Sequence, residues 1–229
     1  MKRLLFFVVF VLIAGFVFAE FQIETDFGYF FNSDKYGSLK RTFNGINISI
    51  SPRYFFTKNI GLFLGGDFKA WFSADNNEYV KTLDTSGING TIDDTFGCKL
   101  DFNFGLALAF PINERFGLQS DIGISLTTLY IESTTGEITV MGYEMSYGVF
   151  PDKVSSIGLF TNIFGRYLIS EKGGIHYLTF GFKMDFKFTR EESGEVIIAG
   201  VKQRYSGKES DFLGFSIAPF IGYMGSFKK

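Results

Sequence analysis

Charged side chains recur at alternate positions within apolar stretches of this 229-residue chain. Lys183, Asp185 and Lys187, for example, alternate with large apolar residues between Leu178 and Phe188. Alternate residues of a strand share one face, so such a stretch presents one charged face and one apolar face. The residues that form charged faces of this kind are the candidate functional residues: Arg53, Asp67, Lys69, Asp101, Asp121, Arg166, Lys183, Asp185 and Lys187.

Two kinds of chemistry suit such faces when they point into a barrel. Ions are tolerated in a protein interior when they are paired and hydrogen-bonded, so the acidic and basic residues are expected to form a network. That network would be either a gated polar path for ions and small solutes, or a set of salt bridges that holds the barrel shut. If the barrel has eight strands, we favour the salt bridges, because a barrel of that size encloses room only for side chains.

The single histidine and the single cysteine do not indicate a catalytic or metal site. His176 stands beside a predicted turn and shares parity with Leu178 and Phe180, which places it towards lipid or the membrane interface. Cys98 lies where a long connection enters a strand. One His and one Cys at unrelated strand ends do not supply the ligand cluster that a metal needs. We therefore expect no cofactor and no enzymatic activity.

Apolar residues alternate with polar ones, with a period of two, in eight segments of roughly 10 residues. The segments begin near Phe21, Ile46, Leu62, Leu100, Phe116, Ile157, Leu178 and Phe212. Strands of about ten residues cross a bilayer at a tilt. The sequence therefore predicts an all-β fold, an eight-stranded antiparallel up-and-down transmembrane β-barrel over residues 20–229.

Short and long connections alternate between these segments. The predicted short turns are around 57–59, 111–115 and 170–174, and the predicted longer connections are about 32–42, 74–97, 131–155 and 189–211. Turn signals at Thr134-Thr135-Gly136 and at Glu192-Ser193-Gly194 predict hairpins within the last two. These hairpins would either extend the sheet beyond the membrane or add a membrane-crossing pair, which would give ten strands.

The first 19 residues are predicted to be a cleaved secretory signal peptide. Lys2 and Arg3 precede an apolar run over 4–16, and small residues lead to a cleavage site after Ala19. Removal of this segment changes the net charge from −2 to −4, which is unsuited to nucleic acid. A single cysteine allows no internal disulfide.

The polar faces of the segments are predicted to line the lumen, and the apolar faces to meet lipid. Glycine, alanine and serine accompany the charges on the polar faces, which suits a narrow interior. Aromatic residues near the segment ends suggest the two girdles of a membrane barrel. Those near short turns are Tyr54, Phe55, Phe110, Phe116, Tyr167 and Tyr177; those near long connections are Tyr29, Phe31, Phe72, Tyr130, Phe188 and Phe212.

The signal peptide, the strand pattern and the turns that lead into Gly61-Leu62 and Gly117-Leu118 together resemble one family. The chain is similar to the small outer-membrane β-barrel proteins of the OmpX, OmpW and OmpA-barrel type, over the whole mature chain. The resemblance implies a monomer in the outer membrane of a diderm cell, with outer-membrane lipid and the barrel assembly machinery as partners. The family usually ends on an aromatic residue, whereas here Phe227 is followed by two lysines.

The resemblance and the long connections imply a structural, adhesive or binding role outside the cell, with an extracellular partner. The connection over 74–97 carries a local charge of −4, which would suit a cation or a basic partner. The alternative function is a narrow OmpW-like channel for small or hydrophobic solutes. Two further hypotheses are a lipid-modifying barrel enzyme and a secreted soluble barrel that carries an apolar ligand.

Overall fold

The computed structural model describes residues 20–36, 39–75, 88–140, 143–209 and 212–228. They form strands β1 Glu20–Tyr36, β2 Leu39–Phe55, β3 Ile60–Asp75, β4 Ile88–Pro111, β5 Phe116–Val140, β6 Tyr143–Ser170, β7 Ile175–Ile198, β8 Val201–Glu209 and β9 Phe212–Lys228. Within these ranges no helix could span a membrane. The signal peptide lies outside the described residues and stays a prediction.

Eight of the strands close into an antiparallel barrel. Each of β1 to β6 pairs with the next strand along the chain, and β6 pairs with β7. Strand β9 then completes the wall between β7 and β1. Strand β8 pairs with β7 alone, above the part of β7 that meets β9. The prediction of an eight-stranded up-and-down barrel is therefore confirmed, and the ten-stranded alternative is wrong.

The wall strands are longer than the predicted 10 residues or so. They range from 16 residues in β3 to 28 in β6. Much of the predicted connections 131–155 and 189–211 is strand, residues 88–97 belong to β4, and only residues 37–38 separate β1 from β2. These added parts are largely polar, so the apolar alternation stops although the hydrogen-bonded pairing continues.

The two predicted hairpins exist, but their turns lie elsewhere. Thr134-Thr135-Gly136 is inside β5, and Glu192-Ser193-Gly194 is inside β7. Strands β7 and β8 are joined at Ala199 and Gly200, whose φ angles are 50° and 80°. Two consecutive positive φ angles are typical of the tightest hairpin turns. The β5–β6 connection, residues 141–142, lies outside the described residues.

The three predicted short turns lie at one end of the barrel, and side chains fix two of them. Thr57 Oγ1 accepts hydrogen bonds from the backbone N–H groups of Asn59 at 3.3 Å and Ile60 at 2.9 Å. Asn113 Oδ1 accepts from the N–H groups of Arg115 and Phe116 at 2.9 and 2.8 Å. Both patterns are local side-chain turns that replace a missing backbone partner. We call this end of the barrel the short-turn end.

A belt of exposed apolar side chains surrounds the wall. On each wall strand at least one large apolar residue of the belt is about half exposed, as in Phe27, Ile48, Leu62, Phe104, Ile122, Leu159, Phe180 and Ile221. The charged residues on the alternate positions face inward. A soluble barrel that carries an apolar ligand would have the opposite arrangement. The predicted assignment of inner and outer faces is therefore confirmed, and the soluble carrier is excluded by the fold.

Glycines allow the strands to approach closely where β4 and β5 pair. Gly105 and Gly123 stand directly opposite each other. A Cβ atom on Gly123 would lie 2.0 Å from the carbonyl oxygen of Phe104, and one on Gly105 would lie 2.2 Å from that of Ile122. The strands therefore need glycine at both positions, as the predicted crowding of the inner face requires.

Candidate functional site

Eight of the nine predicted residues are buried inside the barrel, and Arg166 is the exception. They arrive there because each occupies an inward-facing position of a wall strand. The structure divides them into three clusters along the barrel axis, which we call the lower, middle and upper clusters, starting from the short-turn end.

The lower cluster is centred on Arg53. Its guanidinium forms two bonds to Asp121 from Nε, at 2.9 and 3.1 Å, and one from Nη2 at 2.6 Å. The same Nη2 donates to Glu24 at 2.7 Å. The guanidinium carbon lies 4.8 Å from the ring centre of Phe164. One fixed, planar cation thus serves two carboxylates and one aromatic face, which is the geometry that arginine favours.

The middle cluster is centred on Lys183. Its ammonium donates to Asp26 at 2.8 Å and to Asp67 at 2.9 Å, and also to the hydroxyl of Ser49. Asn103 donates to Asp67 from the neighbouring strand. The ammonium has three donors, and these three oxygens satisfy all of them.

The upper cluster places three lysines around two aspartates. Asp101 lies 3.3 Å from both Lys69 and Lys187 and 3.7 Å from Lys99. Asp185 lies 3.6 Å from both Lys69 and Lys187. The three clusters together hold six carboxylates and five cations, so the charges nearly cancel within the lumen. Such compensation is what a buried ionic network requires.

Arg166 does not join these clusters. It is only partly buried, near the short-turn end, and its guanidinium carbon lies 5.1 Å from the ring centre of Tyr177. Its inner-face parity was predicted correctly, but its height on the strand removes it from the predicted network. The lumen ends near this level, so a long side chain reaches solvent.

Sequence reasoning missed three members of the clusters, Glu24, Asp26 and Lys99. All three occupy inward positions of β1 and β4. The signal was present, because Glu24 and Asp26 alternate with the outward residues Ile23, Thr25 and Phe27.

Two groups of aromatic and aliphatic side chains pack inside the lumen beside the ionic clusters. Away from the short-turn end, the side chains of Phe30, Phe43, Trp71, Tyr130, Val154 and Ala218 pack together. Phe30 and Trp71 are 0% exposed. Towards the short-turn end, Phe55, Phe63, Ala107, Ala109 and Phe160 form a second buried group. Among the described residues, the two central rings of the first group, Phe30 and Trp71, therefore have no surface open to solvent.

Beyond the apolar belt, the long strands form a sheet that stands clear of the barrel wall. We call it the protruding sheet; its members are residues 88–97 of β4, 132–140 of β5, 143–155 of β6, 189–198 of β7, and the whole of β8. Its order is β4-β5-β6-β7-β8. Pairing between β3 and β4 ends at Trp71 and Gly97. Among the described residues, which omit 76–87 between β3 and β4, strands β4 and β8 are therefore the two edges of this sheet.

The base of the protruding sheet is tied to the barrel by ionic contacts. Arg41 donates to Glu132 at 2.9 Å, and Arg190 donates to Glu192 at 2.6 Å and lies 3.7 Å from Asp34. Tyr205 of β8 donates to Glu192 as well, at 2.5 Å. Burial raises the pKa of Tyr205, and the hydrogen bond to the Glu192 carboxylate acts in the same direction. The hairpin of β7 and β8 is therefore held in a fixed position.

Comparison with known proteins identifies the fold. No protein-family model and no curated protein matches the chain. A major outer membrane protein from Thermus thermophilus matches with a TM-score of 0.50 and 13% identity, over 91% of this chain and 99% of that one. The fold is that of the small outer-membrane β-barrels.

Two further solved structures match over similar lengths. OprG from Pseudomonas aeruginosa has a TM-score of 0.49 and 13% identity, over 92% of this chain and 97% of that one. Neisserial surface protein A has a TM-score of 0.46 and 12% identity, over 90% and 97%. The match to the Thermus thermophilus protein, together with the closed eight-stranded wall, confirms the predicted resemblance to small outer-membrane barrels as a likeness of fold.

Three of the predicted girdle residues of this outer-membrane barrel fold point into the lumen. Phe55, Tyr130 and Phe212 are buried inside, and Tyr54, Leu129 and Leu213 face outward beside them. Phe55 follows the outward residue Tyr54, and Phe212 precedes the outward residue Leu213, so strand alternation turns both inward. The side chain of Phe72 lies outside the described side chains. The other predicted girdle residues are exposed or partly exposed.

His176 lies at the short-turn end of this barrel, on the outer side. Its ring stacks on Tyr223, one ring nitrogen bonds to the Tyr223 hydroxyl, and the other is 3.2 Å from the carbonyl oxygen of Lys172. These partners are not the serine or carboxylate that a histidine base requires. Cys98 is partly buried on β4. Within the described part of the chain, no group of three or more His, Cys, Asp or Glu residues is arranged to hold a metal.

Proposed function

We propose that the chain is an outer-membrane β-barrel with a closed lumen that binds another macromolecule outside the cell. The observation that supports this role most directly is the protruding sheet, which extends past the apolar belt and has two edges. A sheet that served only to cross the membrane would end with the belt. Binding surfaces are commonly found on segments that a rigid scaffold displays in this way, outside the elements that it needs for its own fold.

The belt supports the outer membrane as the location. About half of the area of many belt side chains is exposed, and such a surface needs lipid acyl chains or detergent around it. Because the barrel closes on itself, it inserts as a monomer with no free edge in the lipid. The outer-membrane lipids and the barrel assembly machinery are the partners that this insertion requires. The short-turn end faces the periplasm, and the protruding sheet faces outward.

The ionic clusters serve, in this proposal, to hold the barrel rigid. Their charges nearly cancel, and packed aromatic side chains lie beside them in the lumen, which supports a structural role over a conducting path. The runner-up function, a narrow channel for small or hydrophobic solutes, needs these groups to move apart. A lipid-modifying activity would need catalytic side chains at the outward end, whereas His176 lies at the opposite end.

Planar-bilayer recordings distinguish the two roles of the ionic clusters, holding the barrel rigid or lining a channel. Neither the purified chain nor the variant Asp121→Ala is expected to show unitary conductance. The variant is expected to lose stability only. Steps of conductance in the parent that change with Asp121→Ala would refute the structural role and support a channel. Heat-modifiability on a gel, run beside each recording, verifies that the protein tested is folded.

Binding by the protruding sheet is tested on cells that display the chain. A variant in which residues 191–208 are replaced by a short turn keeps the part of β7 that pairs with β9 and removes the protruding part of β7 together with nearly all of β8. Cells with the parent are expected to bind at least one component of a panel of extracellular proteins and glycans, and cells with the shortened variant are expected to lose that binding. Equal binding by both kinds of cell would refute the role of this part of the sheet.

A further inference from the structure

The free edge of β8 is the feature that suggests a specific kind of partner. Strand β8 pairs with β7 along its whole length, from Val201 opposite Ile198 to Glu209 opposite Arg190. Within the described part of the chain, its other edge pairs with no strand. A strand edge presents unpaired N–H and C=O groups, which are a template for an additional strand.

The outward face of this edge strand is basic. Lys202, Arg204 and Lys208 alternate on it, and their side chains are 68%, 83% and 68% exposed. Lys153, exposed on β6, extends the same face. Lysines on an edge discourage pairing with neutral or basic strands. The same charges favour a strand that carries carboxylates.

Strand β7 shows how carboxylates match this face. Glu195 stands directly opposite Arg204, and Glu191 stands directly opposite Lys208. The ion-pair distances are 3.6 Å from Glu195 to Arg204 and 3.0 Å from Glu191 to Lys208. Lys202 also lies 3.6 Å from Glu195. Two carboxylates therefore serve three cations, and β8 keeps a surplus of positive charge for a strand on its other side.

The hairpin is also fixed in advance of binding. Tyr205, on the opposite face of β8, is bonded to Glu192, which in turn holds Arg190 at the base of the sheet. A strand that is already ordered loses little conformational entropy when a partner adds to it.

From these observations we propose that the free edge of β8 binds an acidic, extended segment of a partner protein, which adds to the protruding sheet as a further strand. Its carboxylates lie four residues apart, opposite Arg204 and Lys208, as those of β7 do. Backbone hydrogen bonds give the affinity, and the carboxylates select the partner. This inference rests on the proposed function, because it names the chemistry of the partner that the protruding sheet binds.

A peptide with the sequence of residues 191–198 is a suitable probe, because it carries the carboxylate spacing that β8 already accepts. Its binding to the folded full chain in detergent micelles is measured by fluorescence anisotropy. The parent is expected to bind it saturably, and the double variant Arg204→Glu and Lys208→Glu is expected to bind it at least about tenfold more weakly. A charge-matched pair accompanies it: Arg204→Gln and Gln203→Glu each lower the net charge by one, on opposite faces of β8. Only Arg204→Gln is expected to weaken binding, and Gln203→Glu is expected to bind as the parent does.

Two further probes separate strand addition from simple charge attraction. A peptide with lysine at both glutamate positions that correspond to 191 and 195 is expected to bind the reversed-charge variant and not the parent. An acidic peptide of equal charge with proline at alternate positions cannot pair as a strand and is expected not to bind. The inference is overturned by absent binding of the first peptide, by equal binding of the proline peptide, or by an equal loss in Gln203→Glu.

These outcomes differ from those of the cell-binding test. If the peptide does not bind but the shortened variant loses cell binding, the proposed function stands and the acidic-strand inference fails. If the peptide binds but the shortened variant binds partners as before, the edge site stands and the role of residues 191–208 in partner binding fails. If cells with the parent bind no component of the panel, the proposed function fails.

Discussion

Replacement of Arg53 by methionine should be among the most destabilising single changes in the barrel. Arg53 is buried and serves both Asp121 and Glu24, the shortest of its contacts being 2.6 and 2.7 Å. Methionine fills similar space but leaves two buried carboxylates without a cation. Removal of one partner from a buried ion pair costs about 3–5 kcal/mol of unfolding free energy. Because two acids lose the same partner, we expect the upper half of that range.

The physical reason can be separated from lost packing by a triple variant. Glu24→Gln and Asp121→Asn, added to Arg53→Met, remove the two negative charges that Arg53→Met leaves unpaired. The cluster is then neutral, and most of the lost stability is expected to return, since replacing a whole buried ionic group is often close to neutral. A single variant and a triple variant of equal stability would show that packing, and not unpaired charge, sets the cost.

Urea unfolding in lipid vesicles or micelles measures these differences. Trp71 is the only tryptophan and lies in the lumen, so its fluorescence reports the state of the interior. Arg204→Met is the matched control, because Arg204 pairs with Glu195 on an exposed face; its effect should stay within about 0.5 kcal/mol. The reasoning is refuted if Arg53→Met changes the unfolding free energy by less than about 1 kcal/mol.

Three further outcomes follow from packing and charge. Trp71→Ala should lower the unfolding free energy by about 3–5 kcal/mol through the cavity it leaves, measured by urea titration of the heat-sensitive gel mobility; a loss below about 1 kcal/mol would show that the aromatic group is not tightly packed. Gly123→Val should prevent assembly, because its Cβ would meet backbone at 2.0 Å, whereas Gly207→Val, with no atom within 4 Å, should assemble normally in the same refolding assay; equal yields would contradict the close approach. Glu192→Gln should lower the raised pKa of Tyr205, seen as phenolate absorbance in difference spectra against Tyr205→Phe, and an unchanged titration would show that Glu192 does not hold the hydroxyl.

The face that each wall residue presents could be predicted from the sequence, except where strands bulge. Alternation correctly turned Asp67, Asp101 and Lys183 inward. Between β4 and β5 the register shifts near Leu100, so that Thr128 and Leu129 both face outward and Tyr130 turns inward. A bulge adds one residue on one strand and inverts the parity beyond it. The sequence carries no period-two signal for that inversion, so alternation alone predicts Tyr130 on the outer face, in the girdle.

The extent of the strands could not be predicted in the same way. Apolar alternation reports contact with lipid, not hydrogen bonding, so it stops where the belt stops. Glu192, Ser193 and Gly194 have the composition of a turn, yet they pair with Val154, Lys153 and Pro151 as well as with β8. Local propensity is overridden there by two neighbouring strands. The protruding sheet, which supports the proposed function, was therefore visible in the sequence only as two short β-like pieces.

The ionic partners inside the lumen depend on closure, which no local pattern encodes. Lys183 is separated along the chain by 157 residues from Asp26 and by 116 from Asp67. Asp26 approaches Lys183 because β9 pairs with both β1 and β7. In a sheet that has not closed, Lys183 would be separated from both Asp26 and Asp67, and these ions would meet lipid or water instead of each other. Since a partly paired ionic network in an apolar setting is unfavourable, closure of the wall and completion of the network should occur together, as one cooperative step that makes the incompletely closed barrel a poorly populated state.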